Sequence, residues 1–206
     1  YYDIISMSYL FLSCTEIFSG IGIFLSPIQQ LDFMLVDWFF SHRTATLNTI
    51  ALFLSKIGGM PFVLFFSLLW CLYLAWHKKY HHVVFISLGI GGSIVIGWLL
   101  KFAVNRPRPS NLYQLVESYG ASFPSAHSLY AATLACLMIL IFQTHPFQRF
   151  IVCFAVLWAL VMGLSRIYLG VHYPTDVLAG WGMSLILVPA LRLWLSHRRL
   201  GKTNYF

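Results

Sequence analysis

The sequence predicts an all-α, polytopic membrane protein, with six transmembrane helices and one short amphipathic helix on the surface, as a single domain over residues 1–206. Three observations carry this reading. Hydrophobic residues make up 59% of the chain and charged residues only 9%, with mean hydropathy +0.77, whereas a soluble domain carries roughly 25% charge. The apolar residues gather into six runs, each near or above the ~20 residues that cross a bilayer. The Lys and Arg side chains stand mostly at the ends of those runs, where membrane orientation puts them. The net charge of +7 is therefore read as topology, and no nucleic-acid partner is expected.

The first run, Ile4–Leu25, is long and lacks a basic segment ahead of it, so it reads as a span and not as a cleaved leader. Pro27–Arg43 places Leu31, Met34, Leu35 and Trp38 at helical spacing, with Gln30, Asp32 and Asp37 elsewhere. That pattern gives a short helix lying along the outer surface, or else a plain connector. Leu47–Trp76 is too long for one straight span, and Gly58, Gly59 and Pro61 are expected to kink it. His82–Val104, Ser125–Phe142, Phe147–Tyr168 and Tyr173–Leu195 complete the six. Gly89, Ser93 and Gly97 on the third, and Gly180 and Ser184 on the sixth, recur every four residues, a spacing that lets helix backbones approach in lipid.

Basic residues fix an orientation. Lys78 and Lys79 with His81 and His82, then Arg149, then Arg198, Arg199 and Lys202 mark one side as cytoplasmic, which puts both termini inside. The connections at 101–124 and 166–175 then fall on the opposite, outer face. Glu16 and Lys56 each sit ~14 Å from an outer helix end at 1.5 Å per residue. Charges at that depth are costly, so either the two pair, or both face a water-filled cavity, or one snorkels or is neutral. Cys14, Cys71, Cys136 and Cys153 lie inside apolar runs without metal-ligand spacing and read as small apolar residues.

In so charge-poor a chain, three polar islands stand out: 101–109 (Lys-Phe-Ala-Val-Asn-Arg-Pro-Arg-Pro), 122–127 (Ser-Phe-Pro-Ser-Ala-His) and 165–176 (Ser-Arg-Ile-Tyr-Leu-Gly-Val-His-Tyr-Pro-Thr-Asp). All three fall on the outer face. Lys101, Arg108 and Arg166 supply fixed positive charge, and Arg offers a fork of donors suited to phosphate oxygens. Pro107 and Pro109 hold Arg108 in an extended loop. The second island adds a helix N-terminus, a ready anion site; Pro124 suits its first turn, and Ser125 adds a hydroxyl. Together these select a tetrahedral anion.

His127 and His172 then permit a two-step phosphoryl transfer, one attacking phosphorus and the other protonating the leaving oxygen. Asp176 stands four residues after His172, on the same face if the stretch is helical. There it can accept the ring N–H and leave the other nitrogen free, which makes His172 the expected nucleophile and His127 the expected acid. No Cys/His cluster or acidic pair stands ready for Mg²⁺ or Zn²⁺, so neither metal nor cofactor is expected. Arg106 is read as facing water, or else as touching a second phosphate or a headgroup.

Lys101 with Arg108-Pro109, then Pro124-Ser125-Ala126-His127, then Ser165-Arg166 with His172 and Asp176 resembles the tripartite motif of the type-2 phosphatidic acid phosphatase superfamily, which shares its site with glucose-6-phosphatase and the vanadium haloperoxidases. The motif occupies 101–176. The resemblance implies a phosphohistidine on His172 assisted by Asp176, and a proton from His127 to the departing group. It also implies phosphoryl oxygens held by Lys101, Arg108, Ser125, Arg166 and the backbone N–H of Ala126, and water activated by His127. The family usually has Gly at the position of Ala126; the backbone donor survives the change. The compact form without a large extra domain is similar to bacterial members acting on undecaprenyl diphosphate or phosphatidylglycerol phosphate. A lipid phosphate in a bacterial inner membrane is thus the expected partner, with lipid A dephosphorylation or phosphotransfer as alternatives. A phospholipid transporter is the non-enzymatic alternative, although no inverted repeat joins the halves.

Overall fold

The structure, a computed structural model, describes residues 27–200, with side chains through residue 197. The expected span Ile4–Leu25, and with it Glu16 and Cys14, lies outside the described residues. The elements are α1 (27–41), α2 (Ala45–Ile57), α3 (Met60–Trp76), α4 (Tyr80–Val104), a 3-10 turn (Asn111–Tyr113), α5 (Ala126–Ile141), α6 (Gln148–Tyr168) and α7 (Pro174–Leu200).

Three helices are long and apolar enough to cross a membrane: α4, α6 and the Pro174–His197 part of α7. The run Leu47–Trp76 does break where its glycines predicted. Helices α2 and α3 meet at Gly58–Gly59 with a bend of 56° and together pass as a fourth span. Helix α5 is apolar but has only 16 residues, about 24 Å at 1.5 Å per residue. The described residues therefore hold three to four candidate spans, where five of the six expected fall. Broad exposed faces of Phe102, Trp98, Leu185 and Ile186 are the lipid-facing surface of an integral membrane protein.

Helix α5 is the axis of the bundle and packs on α3, α4, α6 and α7. Lipid tails are as apolar as Leu, so close contact and hydrogen bonds must hold these helices together. The small residues supply that contact. A Cβ on Gly97 of α4 would meet Leu129 of α5 at 2.9 Å, and one on Gly89 would meet Leu137 at 3.1 Å. A Cβ on Gly180 of α7 would lie 2.9 Å from the Leu129 nitrogen and 3.0 Å from the Ser125 oxygen, a backbone-to-backbone crossing. One turn on, Ser184 Oγ donates to the Leu129 carbonyl at 2.8 Å and bonds Thr133 Oγ1 at 3.0 Å.

Helix α1 docks with a polarity that the sequence does not announce. Leu31, Met34, Leu35 and Trp38 are exposed, whereas Asp32 and Val36 are buried. Arg43 follows α1 and donates to the carbonyls of Tyr168 (2.7 Å) and Tyr113 (2.5 Å), closing the C-terminal end of α6. Lys56 is exposed in the last turn of α2.

Candidate active site

The C-terminal ends of α4 and α6 and the N-terminal ends of α5 and α7 meet at one end of the bundle, and every motif residue stands at one of those ends or in the loops that join them. Lys101 is in the last turn of α4 and Arg166 in the last turn of α6. Ser125 caps α5, His127 lies in its first turn, and Asp176 lies in the first turn of α7. Asn105 stops α4 in the left-handed conformation (φ 43°), which Asn tolerates, and so launches the arginine loop. That loop is pinned to the α6–α7 turn. Leu115 N–H donates to the Leu169 carbonyl at 3.0 Å, and Gly170 (φ +70°) lies so close that a Cβ would sit 2.0 Å from the Tyr113 oxygen. Only glycine fits there.

His172 is 2% exposed and held from two sides. Its Nδ1 faces Asp176 Oδ2 at 3.6 Å and Ser122 Oγ at 3.5 Å. Its Nε2 lies 3.2 Å from Arg108 Nη1 and, with the ring proton on Nδ1, accepts from it. Asp176 is fully buried; its Oδ2 accepts from the Tyr173 N–H (2.9 Å) and from the Ser122 hydroxyl, and its Oδ1 accepts from Arg106 Nη1 at 2.7 Å. Burial drives the His172 imidazole down to about 3; the bond to Asp176 opposes this, and the charges of Arg166 and Arg108 add to it. The ring is therefore neutral at ordinary pH, with a lone pair on Nε2.

Around Nε2 lie cations without acids. Arg108 spends its other N–H groups on the carbonyls of Val171 (2.8 Å), Gly120 (3.0 Å) and Tyr119 (3.0 Å). Lys101 Nζ donates to the Ala121 carbonyl at 2.7 Å. Arg166 is 4% exposed; its Nη1 donates to Ser55 Oγ at 2.7 Å, and its Nε has no hydrogen-bond partner among the described residues. No described carboxylate pairs with any of the three. Burial holds the Arg108 guanidinium below its ordinary value, against the pull of Asp176. A buried cation without a counter-ion is costly and calls for an anion.

His127 enters from the other side, with Nε2 3.0 Å from the Ser55 carbonyl in the last turn of α2. The α2–α3 break makes room for it: a Cβ on Gly58 would lie 3.0 Å from His127 Cδ2 and 2.7 Å from Met162 Sδ. Ser55 thus holds both His127 and Arg166.

Three expectations change. Pro124 precedes the cap and is not in the first turn of α5, because Ser125 itself caps the helix, with its Oγ accepting from Ser128 N–H (3.5 Å) and Oγ–H (2.9 Å). Asp176 reaches His172 across a turn, since α7 begins only at Pro174. Arg106 does not face water: its fork bonds Asp32 and Asp176, each at 2.7 Å, because those acids supply the only described carboxylates in reach. Of the tyrosines near the islands, Tyr173 lies under Arg106 (4.2 Å), while the hydroxyls of Tyr168 and Tyr113 bond Asn48 and Asp37. Ser55, Asp32, Ser122 and Thr175 carried no role in the sequence. A Ser inside an apolar run and an Asp on an amphipathic helix read as ordinary, and only Ser122 and Thr175, which fall within polar islands, offered a signal.

A buried histidine backed by a carboxylate, with cations that no described carboxylate pairs, forms a site suited to an anion on a helical membrane scaffold. The PAP2 superfamily model matches residues 82–200, and the chain belongs to that superfamily. It is 29% identical to phosphatidylglycerophosphatase B of Bacillus subtilis over 70% of this chain and 73% of that protein. It is 30% identical to the undecaprenyl-diphosphatase BcrC of the same organism over 71% and 74%. Its fold matches the crystal structure of the first transmembrane PAP2 type phosphatidylglycerolphosphate phosphatase from Bacillus subtilis with a TM-score of 0.78 at 24% identity, covering 90% of this chain and 96% of that one.

Proposed function

We propose that this protein hydrolyses a phosphomonoester or diphosphate of a membrane lipid, undecaprenyl diphosphate or phosphatidylglycerol phosphate, through a phosphohistidine on His172. The chain is an enzyme of the lipid phosphatase type. The observation that carries the reading is Nε2 of the buried His172 3.2 Å from Arg108 Nη1, with no described carboxylate paired to Arg108, Lys101 or Arg166.

In the first step Nε2 attacks phosphorus, the bond from phosphorus to the leaving oxygen breaks, and His127 gives that oxygen its proton. Asp176 takes up the positive charge that develops on the ring at Nδ1. Lys101, Arg108 and Arg166 hold the phosphoryl oxygens, with the α5 N-terminus at Ser125 and Ala126. In the second step His127 takes a proton from water, the water oxygen bonds to phosphorus, and the P–N bond breaks to release phosphate and restore His172.

The chain crosses a bacterial inner membrane six times, with both termini cytoplasmic and the site on the periplasmic side. Lys78, Lys79 and Arg149 support this, since they lie at the helix ends remote from the site. The shortness of α5, against the ~30 Å of hydrocarbon, supports a site sunk below the surface, where a headgroup reaches it while the tails stay in lipid.

The test is phosphate release by the detergent-solubilised protein in EDTA, from undecaprenyl diphosphate, phosphatidylglycerol phosphate, phosphatidic acid and lipid A, with His172→Ala as control. Release that survives EDTA and is lost in the control is expected; no release from any lipid by folded protein overturns the reading.

A further inference from the structure

Asp32 is a buried acid on a helix whose other acid, Asp37, is exposed. Its Oδ2 accepts from Arg106 Nη2 at 2.7 Å and from Thr175 Oγ1 at 2.5 Å, and its Oδ1 accepts from the Thr175 N–H at 3.0 Å, in the first turn of α7. The other nitrogen of the same guanidinium, Nη1, donates to Thr175 Oγ1 and to Asp176 Oδ1, each at 2.7 Å. The Arg106 plane rests on Tyr173 at 4.2 Å, and Phe33 meets that ring edge-on at 5.3 Å. Burial pulls the Arg106 guanidinium down, but the bonds and charges of Asp32 and Asp176 outweigh it and hold the group above its ordinary value.

We propose that Asp32 and Arg106 are positioning residues for the His172–Asp176 pair: Arg106 locks the Asp176 carboxylate, and Asp32 neutralises Arg106 so that Asp176 keeps its charge for the ring. This rests on the phosphohistidine reading above. The charge count gives the reason. Asp32, Arg106 and Asp176 sum to one negative charge, which balances the positive ring of a phosphorylated His172. Without Asp32 the sum is zero, and the fork draws Asp176 away from Nδ1. The other charged groups facing the pair, Arg108 and Arg166 with Lys101 beyond, are all positive, so no other described acid replaces Asp32. The same bonds tie α1 to the catalytic end of α7, so the seating of α1 in the membrane is transmitted to the nucleophile.

The experiment compares Asp32→Asn, Asp32→Glu, Arg106→Gln and the double variant D32N/R106Q. It reads kcat, KM and the pH profile per folded protein, together with the ¹⁵N resonances of His172 assigned by their absence in H172Q. Asp32→Asn is expected to lower kcat by about 10- to 100-fold, as a small misplacement of reacting groups does, with KM little changed. Its pH profile should be displaced and its His172 tautomer signal altered. The double variant is expected to exceed D32N in kcat, because it removes the unbalanced cation as well. Wild-type kcat per folded protein and an unmoved His172 signal in D32N overturn the proposal. Where D32N does not accumulate, D32E keeps the charge and displaces it; lowered kcat in a folded D32E supports the proposal, and wild-type kcat there overturns it. The NMR arm needs no turnover. A moved His172 signal in a protein that releases no phosphate would sink the phosphatase reading and leave the coupling standing.

Discussion

Arg106 and Arg108 stand two residues apart on one loop and meet opposite surroundings. On the Asp176 side of His172 every charge has a partner: Arg106 bonds Asp32 and Asp176, and Thr175 and Ser122 fill the remaining acceptor positions. On the Nε2 side Arg108, Lys101 and Arg166 bond only carbonyls, a hydroxyl and the ring itself. The imidazole is the boundary between a charge-matched half, which is a structural support, and a half with surplus positive charge, which is a place for an anion. Charge alone does not separate the two arginines; the location of the carboxylates does.

The hardest blow to this division is His172→Gln. It removes the nucleophile while leaving both halves in place, and phosphate release should fall by more than about 10³-fold, with the fold retained by circular dichroism. Residual activity within tenfold of wild type would move the nucleophile elsewhere.

Next in size is Arg166→Leu. The guanidinium is buried, with one nitrogen unpartnered. Removing it should cost about 10²- to 10³-fold in kcat, on the scale of a lost oxyanion donor, yet raise the thermal midpoint in detergent, because an uncompensated buried charge is destabilising. A lowered midpoint would place Arg166 on the structural side instead. Arg106→Leu, in the matched half, should lower the midpoint, as loss of one partner from a buried ion pair does.

A smaller effect tests the geometry of the proton donor. Gly58→Ala needs no unusual backbone (φ −93°), but its methyl group would meet Met162 Sδ and His127 Cδ2. It should lower kcat about tenfold by displacing His127. Gly91→Ala, whose Cβ meets nothing within 4 Å, should leave activity unchanged and is the control. Equal activities in the two variants would remove the α2–α3 break from the account.

The unmatched half was legible in the sequence; of the matched half only Asp176 was. Lys101, Arg108, His127, Arg166, His172 and Asp176 form a fixed order at the ends of apolar runs, and the ends of spans are what hydropathy resolves best. Two of the spans agree closely: His82–Val104 against Tyr80–Val104, and Phe147–Tyr168 against Gln148–Tyr168. The break in Leu47–Trp76 was announced by Gly58, Gly59 and Pro61. Asp32 and Ser55 were hidden for a common reason. Their partners, Arg106 with Thr175 and His127 with Arg166, are long-range contacts that no periodicity encodes. On α1 the apolar residues Leu31, Met34, Leu35 and Trp38 are exposed, as a helix lying along a membrane surface requires, and the pattern gave no sign that Asp32 is buried against the rest of the fold.

The finest test concerns the neutrality of His172 itself. Burial sets its folded-state value at about 3, against 6.5 for an unperturbed histidine. The unfolded chain therefore takes up a proton as the pH falls below 6.5, while the folded chain does not take one up at His172 until about 3. The fold loses stability from this residue across that window and gains nothing from it above 6.5. H172Q has no such group, so its thermal midpoint should fall less steeply than that of the wild type as pH is lowered from 6.5 towards 3. Asp176 faces the ring and titrates differently without it, so the difference between the two curves is read in the upper part of the window, above the ordinary carboxylate range. Parallel curves would mean that the ring is already charged in the folded protein, and the boundary between the matched and unmatched halves would then lie elsewhere.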